Sequence, residues 1–219
     1  MELLVAYHGK PEVKEKYLNR VAEHRAADQI KKGFYWEGGK GCAVGCTIHG
    51  SDHTKYEKEL GVPTVLAILE DRLFEALPNE RAKQWPEQFL TAIPVGADLS
   101  RVFPAFAVWL LTDPTHGAIQ HAKDDAGVSA AIQGIADLFQ KESDGQTVTT
   151  DEWDKALARA RARALALARA RALDLALALG RDLARARALD LAPDAFVIAV
   201  SEKLLALLAS ATTTTSQSK

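Results

Sequence analysis

Cys42, Cys46, His49 and His53 fall within twelve residues in the pattern C-x3-C-x2-H-x3-H, which gathers both cysteines of the chain and two of its six histidines. Thiolate and imidazole are the usual ligands of zinc, so the spacing nominates these four side chains as a metal centre, with zinc as the ion. On one continuous helix they would share a face yet span ~16 Å, too far for one ion. A shared site therefore requires the chain to fold back at Gly45 or Gly50. The same residue types support a second chemistry, a cysteine nucleophile paired with a histidine base. On a third reading they are small buried residues that serve packing or a local polar network.

Just upstream, Tyr35-Trp36-Glu37 leads into Gly38-Gly39-Lys40-Gly41 and the first cysteine. With Cys42, Cys46 and His49 on glycine-rich backbone, Glu37 and Lys40 can form a pocket rim, Glu37 acting as base and Lys40 holding an anion. The competing reading makes the glycines turns and leaves Glu37 and Lys40 solvated. Known motifs fail at this place. A phosphate-binding loop needs a differently spaced glycine and a final Ser or Thr. The cysteine motif of radical S-adenosylmethionine enzymes needs a third cysteine where His49 stands, and no series of strands follows. Asp144-Gly145 leading to Glu152 echoes the end of a calcium loop, but that loop would begin with Gln140 and is one residue too long. His24 and Asp28, one helical turn apart, can pair as orienter and base or as a surface contact.

The string from Tyr35 to His49, YW…GKGCAVGC..H, resembles a family of uncharacterised bacterial proteins with that signature and an alanine-rich repetitive C-terminus. The resemblance covers about residues 5 to 140 and, loosely, the tail. It implies a boundary after the first domain and brings no activity with it.

Apolar spacing is helical nearly throughout, so the expected fold is all-α: an N-terminal multi-helix domain followed by a long low-complexity Ala/Leu/Arg helix or helical hairpin. Pro11 suits the first turn of a helix with Val13, Tyr17, Val21 and His24 on one stripe, ending at Gly33. Residues 34–52 are the least regular part. Val65, Leu66, Leu69, Leu73 and Leu77 mark a second helix, after which Pro78, Pro86, Pro94 and Pro104 are expected to cut the chain into short helical pieces. Trp85, Phe89, Phe103, Phe106 and Trp109 offer bulky core. A further helix is expected over about Val128 to Lys141. Thr149 and Glu152 have the form of a capping box, so another helix should begin near Thr150. The expected division is a helical domain over 1–145, a helical arm over 146–209 and a disordered tail over 210–219.

From Lys155 to Ala192, alanine alternates with leucine or arginine. Alternation by two nominally suggests a strand, but Ala, Leu and Arg are strong helix formers and no β-branched residue occurs from Asp151 to Phe196. A helix is expected, with breaks at Gly180 and Pro193. A step of two residues nearly reverses direction on a helix, so the leucines scatter around it and no clean buried face results. The alternation reads as a six-base DNA repeat diversified by point changes, so its regularity need not mark a site. The last helix, about Asp194 to Ala209, carries Val197, Val200, Leu204 and Leu208 on one face.

The net charge of -2 hides an asymmetry. Between Lys155 and Leu191 eight Arg and one Lys stand against three Asp, a local +6, which leaves -8 for the rest. That pattern fits a basic arm on an acidic body, in one chain or between copies. The arginines point all around the helix without interleaved aromatics, which argues against nucleic acid as partner. The first ten residues contain Glu2 and no basic segment, unlike a secretory leader, and the longest apolar run, Ala105 to Leu111, is far below the ~18 residues of a membrane span. A cytoplasmic location and no membrane partner are expected. The function expected first is an interaction or scaffold protein that self-associates or docks on a protein partner through residues 151–209. The alternative is a small metal-dependent or Cys/His enzyme or redox regulator centred on Cys42, Cys46, His49 and His53; the third option is anion or nucleic-acid binding through the arginine-rich helix.

Overall fold

The computed structural model describes residues 4–122, 124–163 and 194–213. The fold is all-α, and a single two-stranded pair is the only sheet among the described residues. Pro11 opens α1 (Pro11–Ala26) at its first position, where a missing N–H is no loss. The helix ends at Ala26, earlier than the apolar stripe suggested. Asp28 turns the chain in a left-handed conformation (φ 51°), and its carboxylate is held by Lys31 at 2.6 Å and Lys83 at 3.3 Å. β1 (Trp36–Glu37) then pairs antiparallel with β2 (Lys40–Gly41) across Gly38 and Gly39. A short helix, α2 (Ala43–Ile48), follows, and after it a π-helical turn over Tyr56–Leu60.

α3 (Thr64–Ala76) buries Leu66, Ala67, Glu70, Leu73 and Phe74. α4 (Asn79–Ala92) runs straight through Pro86, contrary to the expectation that this proline interrupts a helix. Pro86 lies on the buried face with Ala82, Trp85, Phe89 and Leu90, where burial of the ring offsets a cost of roughly 3 kcal/mol for the lost hydrogen bond and clash. α5 (Val102–Thr112), α6 (Ala126–Ser143), α7 (followed over 150–163) and α8 (Asp194–Ala209) complete the described helices. The Thr149 capping box is present, with Thr149 N–H donating to Glu152 Oε2 at 2.9 Å and Glu152 N–H donating to Thr149 Oγ1 at 3.3 Å. Gly180, Pro193 and most of the alternating tract lie outside the described residues.

Contacts divide the chain into two compact units, Met1–Phe103 with Val197–Lys219, and Pro104–Phe196. That division differs from a boundary near 145. The reason lies in the apolar face of α8, where Val197, Val200, Leu204 and Leu208 are buried. Beyond it the chain stays ordered: Asp98 N–H donates to Thr212 O at 2.9 Å, and Ala97 forms a bridge with Thr213. Of the expected tail over 210–219, residues 214–219 lie outside the described residues.

Within the first unit, Tyr7, Tyr17, Tyr56, Phe74, Trp85 and Phe89 are almost wholly enclosed. α1 packs on α4 and α2, and α2 also meets α3, so the loop carrying the cysteines sits among three helices. In the second unit, Asp125 caps α6 by accepting from Gly127 and Val128 N–H. There Phe139 meets Trp153 edge-on at 4.7 Å, and Lys141 bonds Glu152 at 2.8 Å. Among the described residues no helix is long and apolar enough to cross a membrane.

Candidate functional site

Two glycines decide how the cysteine loop is built. A Cβ on Gly41 would lie 1.9 Å from the Tyr35 carbonyl oxygen, and one on Gly45 only 1.5 Å from the same atom. Only glycine permits that approach. The Tyr35 strand is thereby pressed onto the start of α2, and Cys42 N–H donates to Phe34 O at 3.0 Å and to Tyr35 O at 3.2 Å. Gly41 and Gly45 of the signature string are thus explained by close backbone packing, and Gly38 and Gly39 by the positive φ of the β1–β2 turn.

The structure does not bring Cys42, Cys46, His49 and His53 to one point. Cys42 caps α2, and its Sγ accepts from Gly45 N–H at 3.4 Å. Cys46, one turn on, donates to Gly41 O at 3.3 Å. Both are buried free thiols. Burial pushes the Cys42 thiol well above its ordinary range, the Gly45 N–H partly offsets this, and the Asp71 carboxylate adds to it. Burial likewise pushes Cys46 up to about 12, against a lowering bond to the Gly41 backbone. Burial so placed favours the neutral thiol over the thiolate. Among the described residues no group of three or more His, Cys, Asp or Glu side chains is arranged to hold a metal ion.

The two histidines diverge. His49 ends α2 in a left-handed conformation (φ 51°) that turns its ring outward to stack on Trp36 at 4.3 Å. There it meets His24, whose Nε2 lies 2.9 Å from His49 Nε2. His24 therefore pairs with His49 and with Gln29 (Nδ1 to Oε1, 2.6 Å), and not with Asp28. His53 faces α3 instead, with Nε2 3.5 Å from Asp71 Oδ2 and its ring edge-on to Tyr35 at 5.6 Å. Glu37 and Lys40 sit opposite each other in the β1–β2 register, both exposed, as the solvated reading has it.

Asp71 is the residue that organises the inner group. Its charge is the leading cause that raises the Tyr35 phenol, and it also raises the Cys42 thiol. Yet Asp71 Oδ1, Glu70 Oε1 and, apart from its 3.5 Å approach to Asp71 Oδ2, His53 Nε2 are buried without a hydrogen-bond partner. Buried polar atoms are nearly always paired, so each orphan calls for an explanation such as catalysis or a bound ligand. Beside Asp71, Glu70 is fully enclosed, and its Oε2 accepts from the Tyr56 hydroxyl at 2.6 Å. Burial raises the Glu70 carboxyl to about 8, Tyr56 pulls it back, and Asp71 pushes it further. Tyr35, by contrast, is 43% exposed, and Phe34 beside it 40%.

The chain matches no family model, no curated protein and no solved structure. Its chemistry must be read from geometry.

Sequence reasoning on the cysteine motif alone misses Glu70, Asp71 and Tyr56. One signal for them exists. Leu66, Leu73 and Leu77 define the apolar stripe of α3, and Glu70 falls four residues after Leu66 on that same stripe. A carboxyl placed in an apolar row is a buried acid in waiting.

Proposed function

We propose that the N-terminal unit performs acid–base chemistry on a small polar ligand at the His53–Asp71 pair, with Tyr35 over the ligand. The observation that carries this reading is the adjacent pair of orphaned atoms, Nε2 of His53 and Oδ1 of Asp71, enclosed beside the exposed phenol of Tyr35. Imidazole is the side chain best suited to exchange a proton near neutral pH, and a carboxylate beside it fixes its orientation. This keeps His53 from the expected Cys/His centre, moves the partner role to Asp71, and leaves Cys42 and Cys46 as packed, hydrogen-bonded thiols. A cytoplasmic setting agrees with two free cysteines.

A thermal-shift screen of small carboxylate, carbonyl and phosphate compounds on wild type, His53→Gln and Asp71→Asn tests the reading. A true ligand at ~100 Kd adds about 2.7 kcal/mol to wild-type stability and nothing to either variant. Compounds that stabilise all three proteins alike would defeat the proposal. So would both variants losing stability with no ligand response in any protein, since that is the behaviour of a purely structural pair.

A second reading concerns the arm, and the charge asymmetry of +6 against -8 favours it. On this reading the arginine-rich tract docks on an acidic surface, of this chain, a second copy or a protein partner. Light scattering on the full chain at 50 mM and 500 mM salt tests it, because contacts of opposite charge weaken once the Debye length falls well below about 10 Å. A mass equal to one chain at both salt concentrations removes self-association.

A further inference from the structure

We infer that His24 and His49 form a surface site for a transition-metal dication, Zn²⁺ or Cu²⁺, bound between their facing Nε2 atoms with water completing the coordination. The site is separate from His53–Asp71 and independent of that reading.

Three features of the pair support it. The two Nε2 atoms face each other at 2.9 Å. Two imidazole nitrogens on a tetrahedral zinc, each at 2.0–2.1 Å, stand about 3.3 Å apart, so to admit the ion the nitrogens must part by about 0.4 Å and both rings, which now point at each other with centroids 5.1 Å apart, must tilt until their lone pairs converge. Second, His24 Nδ1 donates to Gln29 Oε1 at 2.6 Å, which fixes the proton on Nδ1 and leaves the Nε2 lone pair directed at His49. A carbonyl oxygen on the far nitrogen is the usual companion of a metal-bound histidine. Third, the rings are set by an aromatic wall: Trp36 stacks on His49 at 4.3 Å and meets His24 edge-on at 5.2 Å.

His49 reaches this position through the left-handed backbone (φ 51°) that caps the C-terminus of α2, a common helix ending in which histidine is enriched. Without an ion, His49 Nε2–H donates to the His24 lone pair. On binding, that proton leaves to solvent and His49 Nδ1 takes one up, so the ring stays neutral and the ion occupies the place of the shared proton. Neutral imidazole nitrogens suit Zn²⁺ and Cu²⁺ over Mg²⁺ and Ca²⁺, which require oxygen ligands. Two nearby charges act on His49 in opposite senses, the Arg20 guanidinium against added positive charge and the Glu59 carboxylate in its favour. Arg20 donates to Thr47 O at 2.7 Å, and Glu59 accepts from the Tyr17 hydroxyl at 2.5 Å.

Isothermal titration of the chelator-treated full chain with ZnCl₂ or CuSO₄ alone tests the inference, beside His24→Ala, His49→Asn and Cys42→Ser/Cys46→Ser. Asparagine at 49 tolerates the left-handed backbone. Wild type and the thiol double variant should each bind one equivalent, and each histidine variant should bind at least tenfold more weakly. Cu²⁺ should quench a fluorescence component that Trp36→Phe abolishes. If the histidine variants fail to fold, nitrogen NMR of wild-type imidazoles decides: added Zn²⁺ must shift the Nε2 resonances of His24 and His49. No saturable binding by wild type, equal affinity in the histidine variants, or shifts confined to other histidines would overturn the inference.

Discussion

The unit formed by Met1–Phe103 with Val197–Lys219 and the unit Pro104–Phe196 are built by different means. The first encloses tyrosines, a tryptophan and phenylalanines, and places Glu70, Asp71 and two thiols among them. In the second, the described residues that are buried are mostly small, with Phe106, Leu138 and Pro104 beside Ala107, Gly117, Ala122, Ala136 and Ala156. Large irregular side chains fit only one arrangement, so they can hold polar atoms in defined places. Alanine rows fit many arrangements, and their helices are specified more by capping and propensity than by shape. The candidate chemistry lies in the unit whose core is the more specific.

Ending the chain at Phe196 should sharpen that contrast most. It removes Val197, Val200, Leu204 and Leu208 from the first unit, and near-ultraviolet circular dichroism should show loss of its fixed aromatic packing. Retention of the wild-type spectrum would show that α8 is dispensable there. Leu204→Ala, at a wholly enclosed position, should cost about 3 kcal/mol in urea unfolding.

Glu70 links stability to pH. Its folded carboxyl titrates at about 8, above the ordinary value of 4.5. Between those limits the unfolded chain gives up the proton that the folded chain keeps, so stability should fall as pH rises from 4.5 to 8 and level off beyond. The slope approaches about 1.4 kcal/mol per pH unit at most. Glu70→Gln should remove this slope in urea unfolding at pH 5, 6.5 and 8, and an unchanged slope would assign it elsewhere.

The second unit should respond less. Thr149→Ala removes the hydroxyl of the capping box and should cost about 1 kcal/mol, read from the unfolding of α7. Leu157→Ala, at a position 36% exposed, should change stability by less than about 0.5 kcal/mol. A loss near that of Leu204→Ala would break the comparison, because it would mean that the arm has a packed face.

Periodicity made the helices legible. The stripes of α3 and α8, the α6 segment and the capping box at Thr149 could all be read directly, because 3.6-residue spacing and cap chemistry are local. The end of α1 was less legible, since the helix closes on a left-handed Asp28, with Gln29 N–H donating to His24 O, where no glycine marks the stop. Pro86 inside α4 was hidden for a similar reason: burial among Trp85 and Phe89 outweighs the local preference. At the candidate site the structure does not gather the four residues of the motif at one point. His49 and His53 are four residues apart, yet one turns to α1 and the other to α3, because the left-handed residue at 49 sends the chain away from the axis of α2.

By itself the sequence determined the all-α class, the loop that carries the cysteines and the charge imbalance of the arm. These follow from composition and from interactions within a few residues. Only the tertiary structure decided that Cys42 and Cys46 are enclosed, that Asp71 faces His53, and that His24 meets His49. Each of those contacts joins elements far apart in the chain, and the packing of large side chains around glycines without a Cβ, not spacing along the chain, sets which polar atoms meet.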